Sequence, residues 1–168
     1  ALPGNQKPFA AMYFNDLVQG VTNGLKSIPF DENPGTSCII RNMPFGIYGV
    51  NSQIDVFNVR FNNIQPANFC YNKSCKTAAI SSLVKTGVST KQLNVGGDDI
   101  PNQLNLHNEF MDCYFGVRSQ GNINSNILHN VFTHNDLGAS TKPSGRAIML
   151  LDANNNTIKV NHNHIIDH

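Results

Sequence analysis

The sequence predicts an all-β chain folded as a solenoid, in which short parallel strands coil around a shared core. Two observations indicate this class. Apolar residues alternate with polar ones over four to six positions before Gly, Asn, Asp or Pro interrupts them, a pattern typical of many short strands. A unit of about 22 residues also recurs along the chain, and that length suits one turn of a β-solenoid.

Three columns of residues define the repeat. An apolar anchor is followed two positions later by a polar residue, and further on by a small residue that precedes Val or Ile. The anchors are Phe14, Ile40, Phe61, Phe110, Phe132 and Ile165. The polar column is Asp16, Asn42, Asn63, Asp112, His134 and Asp167, and the small column is Gly20, Gly46, Ala79, Gly116 and Ala147. Six anchors predict about six turns.

Stacking of the turns assigns a role to each column. The Phe, Ile and Val columns are expected to be buried between turns. Small residues suit positions where a larger side chain would not fit. Asn108, Asn130 and Asn163 each lie two positions before an anchor, so their side-chain amides are expected to stack and hydrogen-bond along the axis.

Length and composition limit the domain organisation and the partners. With 168 residues and 40% hydrophobic content, the chain suits one domain over residues 1–168, in which residues 1–12 form a cap or lead-in. Only 14% of residues are charged and the net charge is +1, which gives no electrostatic case for nucleic acid. No apolar run approaches the ~20 residues of a membrane-spanning helix, so no membrane insertion is expected.

The four cysteines, at positions 38, 70, 75 and 113, lack the paired spacing of a zinc site. Cys70 and Cys75 bracket the short segment CYNKSC, where a local disulfide and two free thiols are both open interpretations. A disulfide there would favour an oxidising compartment.

The stretch from Asn108 to Val117, N-x-F-x-x-C-x-F-G-V, and its copies resemble the right-handed parallel β-helix repeats of the pectate-lyase-like superfamily. The resemblance covers most of residues 12–168, and it is closest to the Asn-rich repeat proteins of bacterial surfaces, including those of the Bacteroidota. It implies a right-handed helix in a secreted or surface protein. The pattern stops in mid-turn after HNHIIDH, so we expect further turns of the same chain, or a partner protein, at the C-terminal edge.

Loops that interrupt the repeat are the expected place for function. Residues 65–78 and 136–146 interrupt it at one corner, and a third insertion, at about residues 84–104, interrupts it at another. A groove between them would bind glycans: aromatic and amide groups suit sugars, and basic groups suit uronate carboxylates. The alternative is a set of solvated loop residues. The candidate groove residues are Tyr48, Arg118, Lys142 and Arg146, joined by Asp98 and Asp99 if the third loop folds over.

Catalysis is the competing interpretation. Adjacent aspartates such as Asp98 and Asp99 supply acid and base in polygalacturonase-like hydrolases of the resembled fold. Here the pair lies in an insertion, and the Arg-x-Lys and Gly-His-Gly motifs expected with it are absent, so a Gly-Gly-Asp turn is the alternative. Arg118 is the candidate base for lyase chemistry, although no calcium-binding acidic cluster accompanies it.

His107, His129 and His162 each precede the Asn column and are expected to stack. A column position that accepts any polar residue explains them without a metal, so the sequence predicts neither metal nor cofactor. The expected function is a secreted or surface-displayed bacterial module with a structural or adhesive role, contacting glycans through residues 65–78 and 136–146. The alternatives are a polysaccharide lyase or glycoside hydrolase, and a spacer with no ligand.

Overall fold

The computed structural model describes residues 9–16, 25–26, 38–64, 77–85, 92–97, 107–122, 125–133, 146–151 and 157–166. Within these ranges all regular structure is β-strand and no residue is helical, so the all-β prediction is confirmed. Fifteen strands form three five-stranded sheets, and every recorded strand pair is parallel. The arrangement is consistent with a parallel β-solenoid.

Each strand pairs with the strand three places along the chain, so three consecutive strands, one from each sheet, form a unit that we call a rung. Sheet A contains β1 (Ala10–Asn15), β4 (Phe45–Val50), β7 (Ala78–Leu83), β10 (Phe115–Gln120) and β13 (Arg146–Leu151). Sheet B contains β2 (Leu25–Lys26), β5 (Ile54–Val56), β8 (Leu93–Val95), β11 (Ser125–Leu128) and β14 (Ile158–Asn161). Sheet C contains β3 (Cys38–Arg41), β6 (Val59–Asn62), β9 (Glu109–Met111), β12 (Val131–Thr133) and β15 (His164–Ile166).

The anchor column lies in sheet C. Ile40, Phe61, Phe110, Phe132 and Ile165 are paired in register across its five strands, as predicted. The three Phe side chains are buried and their rings stack, with centroids 5.1 Å and 4.6 Å apart and planes within 9°. Residues from all three sheets pack into the same core, so these rings lie at its centre.

The first predicted anchor, Phe14, is wrong. Phe14 lies in sheet A, where it pairs with Gly49, and the described strands therefore make five rungs rather than about six turns. In the same strand Met12 pairs with Ile47, so Met12 occupies the column that the sequence assigned to Val21 after Gly20. Residues 20 and 21 themselves lie outside the described residues.

The small-residue column is set by the Phe stack. A Cβ built on Gly46 would lie 2.7 Å from the ring of Phe61, and one on Gly116 would lie 2.6 Å from the ring of Phe132. Each would also approach a carbonyl oxygen of the next rung, at 2.5 Å and 2.6 Å respectively. Glycine is therefore required beside these two rings, as the sequence predicted.

The corners between sheets are formed by residues in the left-handed backbone region. Asn42, Asn63 and Asp112 follow the strands of sheet C with φ between 53° and 56°, and Asn63 donates a hydrogen bond to the Asn42 side chain at 2.6 Å. These three confirm part of the predicted polar column. Asp16 does not belong to it: it follows sheet A and accepts a 2.8 Å hydrogen bond from Asn51 at a different corner. His134 and Asp167 lie outside the described residues.

The predicted asparagine stack is present inside the corner between sheets B and C. Asn108 donates from Nδ2 to Asn130 Oδ1 at 2.9 Å, and Asn130 donates in the same way to Asn163 at 3.0 Å. The same amides donate to carbonyl oxygens of the preceding rung: Asn108 to Val56 and Asn130 to Val95. Buried polar groups in the core are thereby paired.

The connections agree with two of the three predicted insertions. Residues 65–76 and 134–145 each connect sheet C to sheet A, before β7 and β13, and both lie outside the described residues. The third insertion, at residues 84–104, is wrong as a single loop, because β8 lies within it and buries Leu93 and Val95 in the core. Among the described residues, no helix is long and apolar enough to cross a bilayer.

Candidate functional site

The outward side of sheet A is the candidate site. Ile47, Ile80 and Val117 face the core, so by strand alternation the residue after each turns outward. These outward residues pair in register across the sheet and form the outer column. It consists of Tyr13, Tyr48, Ser81, Arg118 and Met149.

A second apolar cluster, separate from the core, supports this outward side. Phe45, Ala78 and Phe115 are its buried members, and Tyr48 and Met149 pack against them. The rings of Phe45 and Tyr48 meet edge to face with centroids 4.9 Å apart. Aromatic contacts of this kind restrain both rings and leave Tyr48 partly exposed above a rigid base.

The aromatic surface extends to the first rung. Tyr13 stacks on Tyr48 with centroids 5.9 Å apart and planes inclined by 14°, and Phe9 contacts both Phe45 and Tyr48. Tyr13 is 56% exposed, so its ring is available to a ligand from solvent. An exposed, supported aromatic ring suits the apolar face of a sugar.

The charge on this sheet is entirely positive. Its five strands contain Arg118 and Arg146 and no acidic residue. Arg118 is part-buried and donates to the Gln120 side chain at 3.2 Å, while Arg146, in the neighbouring strand, pairs with Phe115 and is exposed. Two guanidinium groups without a nearby carboxylate in the sheet favour an anionic partner.

Within the part of the chain that the structure describes, three buried polar atoms near the outer column have no hydrogen-bond partner. They are Thr77 Oγ1, Ser81 Oγ and Arg118 Nε. Ser81 lies between Tyr48 and Arg118 in the outer column, and Thr77 directly precedes β7 in the same rung as Ser81. Buried polar groups are usually paired, so these three atoms are unusual, but the hydroxyls of Thr77 and Ser81 are fully buried and not open to solvent.

Three of the residues predicted for the groove share this surface. Tyr48 and Arg118 lie in the outer column two strands apart, about 10 Å at the usual strand spacing, and Arg146 lies on the next strand. Lys142, Asp98 and Asp99 lie outside the described residues, as do Cys70 and Cys75. Sequence reasoning missed Tyr13, Phe45, Phe115 and Ser81, although alternation from the Ile47 column was a signal for Tyr13 and Ser81.

A charged group lies on the outward side of sheet C. Arg60 donates from Nε to Glu109 Oε2, and His107 Nε2 lies 3.6 Å from Glu109 Oε1. Burial acts to raise the pKa of Glu109, but the hydrogen bond and charge of Arg60, aided by His107, outweigh it and hold that pKa below its usual value. The carboxylate therefore stays ionised and paired, which suits a structural role.

The Cys113 thiol and the metal-ligating side chains are also candidates for catalytic groups. Cys113 is a fully buried thiol, and burial raises its pKa to about 12, so it is unsuited to act as a nucleophile. Among the residues the structure describes, no group of three or more His, Cys, Asp or Glu is arranged to hold a metal ion.

Comparison of the chain with protein-family models, with curated proteins and with solved structures gives no match in any of the three. The all-strand architecture with three parallel sheets is compatible with the resemblance to pectate-lyase-like β-helices. Membership of that superfamily therefore stays a prediction.

Proposed function

We propose that this chain is a right-handed parallel β-helix module of a secreted or cell-surface protein, which binds acidic glycans on the outward side of sheet A. The observation that carries the proposal is the outer column, where Tyr13 and Tyr48 lie in register with Arg118 and no acidic residue occurs in the sheet. Aromatic rings take the apolar faces of sugars, and guanidinium groups pair with carboxylates.

The arrangement supports recognition along the stack of strands. Tyr48 and Arg118 lie about 10 Å apart, so an extended ligand lying across the strands reaches both. Ser81 lies between them in the outer column, but its hydroxyl and that of Thr77 are fully buried, so the exposed rings and the guanidinium groups are the groups that contact the ligand. The segments 65–76 and 134–145 directly precede β7 and β13 of sheet A in the sequence.

Binding of the 168-residue chain to a panel of neutral and uronate-containing polysaccharides, measured by calorimetry, tests the proposal. We expect binding to the uronate polymers only, with strong weakening in added salt. Arg118→Gln should reduce affinity by about tenfold or more, because a hydrogen bond to a charged group contributes about 1.5–3 kcal/mol. Tyr48→Ala should also reduce affinity, because it removes the ring against which the sugar packs. Arg41→Gln, which removes an exposed arginine of sheet C, is the matched control and should bind normally.

Two outcomes would contradict glycan binding by a module without catalytic activity. Release of unsaturated products or new reducing ends from the same polysaccharides, lost in Arg118→Ala or Asp99→Asn, would favour the lyase or hydrolase alternative. Absence of binding to every polymer would favour a spacer with no ligand.

A further inference from the structure

A column of imidazole side chains at the corner between sheets B and C takes no part in the proposed glycan site. The dipeptide His-Asn occurs at residues 107–108, 129–130 and 162–163, directly before three successive strands of sheet C. The sheet register aligns these pairs on consecutive rungs. The three Asn side chains point inward and form the asparagine stack, whereas the preceding histidines are partly or fully exposed and lie outside the core.

Two of these histidines share one backbone geometry. His129 and His162 have φ of 54° and 52°, so their side chains leave the backbone in nearly the same direction. Hydrogen bonds on both sides fix the two rungs: His129 N donates to Asn161 O at 3.3 Å, and Asn130 N donates to Asn163 Oδ1 at 3.0 Å. The imidazole rings stack with centroids 4.8 Å apart and planes inclined by 23°.

We propose that His129 and His162 together bind one divalent ion of the late first-row transition metals, such as Ni²⁺, Cu²⁺ or Zn²⁺. In the stacked arrangement the nitrogen lone pairs lie in the ring planes and do not point between the rings, so binding requires each ring to turn about its Cβ–Cγ bond. Imidazole ligation requires metal–nitrogen distances of about 2.0–2.1 Å, and rings with centroids 4.8 Å apart can share one ion only after that rotation. Neutral imidazole selects these metals over Ca²⁺ and Mg²⁺, which prefer oxygen ligands.

The other histidines near the pair determine how many protein ligands the ion has. His164 lies two residues after His162, with the inward Asn163 between them, and it is exposed, so it is a candidate third ligand. His107 is set apart by its contact with the Glu109 carboxylate at 3.6 Å. The described residues contain no preformed group of three ligands, so water completes the coordination and the ion is exchangeable.

The column itself indicates which substitution removes the ligands without disturbing the fold. Asn58 occupies the same register position in the second rung, with φ of 55°, so asparagine is accepted there in the left-handed conformation. His129→Asn and His162→Asn therefore remove an imidazole and keep the backbone. His107→Asn is the matched control, because it makes the same change in the same column outside the proposed pair.

Titration of the 168-residue chain with NiCl₂, followed by calorimetry and by thermal unfolding, tests the site, with MgCl₂ as the control ion. We expect Ni²⁺, but not Mg²⁺, to bind and to raise Tm, because a ligand that binds the folded chain stabilises it. His129→Asn and His162→Asn should each weaken Ni²⁺ binding by at least about tenfold, the loss typical even of an outer-sphere partner of a metal site. Both should fold as the unchanged chain does by circular dichroism without metal, and His107→Asn should bind normally.

Unchanged Ni²⁺ affinity in both His129→Asn and His162→Asn, or no effect of Ni²⁺ on the unchanged chain, would overturn the proposal. A loss confined to His164→Asn would also overturn it, because the ion would then be held elsewhere. A loss in His164→Asn in addition to the other two supports the site and identifies a third ligand. Release of Ni²⁺ in acid is a further expected result, since imidazole binds metals only when it is unprotonated.

Discussion

Polar residues at the corners allow the backbone to adopt the left-handed conformation that turns the chain from one sheet to the next. The eight described non-glycine residues with positive φ are all Asn, Asp or His, the residue types that tolerate the left-handed region best. Each follows an inward residue at a spacing of two, as Asn42 follows Ile40 in sheet C and Asp16 follows Phe14 in sheet A. Because this local pattern occurs after strands of all three sheets, residue types alone do not distinguish one corner from another. Phe14 was assigned to the wrong sheet for this reason.

At the same scale, Gly116 is predicted to tolerate no side chain. In Gly116→Ala the added Cβ would lie 2.6 Å from both the Ala147 carbonyl oxygen and the Phe132 ring, so backbone or ring must move. We expect the free energy of unfolding to fall by about 1–3 kcal/mol, the usual cost of overpacking a core. Urea unfolding measures it. The exposed Lys85→Ala should change stability by no more than about 0.5 kcal/mol, and an equal effect of the two substitutions would refute the steric explanation.

The Arg60–Glu109 pair makes a prediction about acid stability. Because the pKa of Glu109 lies below its ordinary value of 4.5, the unfolded chain takes up this proton first as pH falls. The pair therefore stabilises the fold fully above that value, and its contribution is lost as pH falls through the lower folded-state pKa. Arg60→Gln removes the positive charge that lowers the pKa of Glu109, whereas burial still raises it, so the pKa of Glu109 rises.

Urea unfolding between about pH 5 and about pH 3, the range over which glutamate titrates, measures this dependence. We expect the loss of stability in acid to be smaller in Arg60→Gln than in the unchanged chain. The effect is modest because both side chains are partly exposed. Arg41→Gln on the same sheet is the control, and identical pH profiles for all three proteins would contradict the assignment.

At the scale of elements, the stacked columns could be predicted from the sequence, whereas short strands within long connections could not. Five anchors, the Gly column and the asparagine stack follow from residue type and spacing, because each requires one specific side-chain size or amide. β8 was missed because three residues, Leu-Asn-Val, give too short an alternation to stand out between two connections. Its burial is decided by pairing with β5 and β11, strands far away in sequence.

The asparagine stack is predicted to be the most sensitive polar element. Asn130 Nδ2 lies 3.0 Å from Val95 O, Leu128 O and Asn163 Oδ1, which share its two N–H groups, and its Oδ1 accepts from Asn108. Asn130→Ala removes the side-chain donor to Val95 O and Leu128 O and the acceptor of Asn108 Nδ2, at about 1–3 kcal/mol for each buried group left without a partner, so we expect a loss of at least about 3 kcal/mol. Chemical denaturation measures the loss.

Asn126→Ala is the matched control, since it removes an amide from the same rung that faces outward in sheet B. Its Nδ2 donates to Asn94 Oδ1 at 3.0 Å in a part-buried setting, where a single hydrogen bond contributes about 0.5–1.5 kcal/mol. Equal losses of stability in Asn130→Ala and Asn126→Ala would contradict the prediction that the inward stack is the more sensitive element.

At the scale of the whole molecule, register decides which residues meet. Tyr48, Ser81 and Arg118 are separated by more than thirty residues in sequence, yet they share one outward column. The sequence suggested Tyr48, Arg118 and Arg146 as parts of a groove beside the insertions, but it did not indicate the aromatic base formed by Phe45 and Phe115. That base depends on the register between strands of different rungs. The register cannot be read from the sequence, because the connections between sheets C and A are long and differ in length.

Protection of the backbone is predicted to be uneven across the rungs. Inward columns are fully buried in the third and fourth rungs, as at Val95 and Ile127, whereas Leu150, Val160 and Ile165 of the fifth rung are 37%, 45% and 50% exposed. We expect amides of β7, β8 and β10 to exchange more slowly than those of β13–β15 by roughly a hundredfold or more, because local opening free energies range from about zero to the global value. Hydrogen exchange with mass spectrometry measures this, and uniform rates would contradict it.

The stacking of rungs also has a mechanical consequence. The hydrogen bonds of all three sheets join one rung to the next, so they lie along the direction in which the rungs follow each other. Tension applied between the two ends of the chain therefore falls first on the bonds of a terminal rung, while the others stay unloaded. Because each rung contacts only its neighbours, the chain should yield to force one rung at a time, as a zipper opens, and re-form by winding the last rung back onto an intact template.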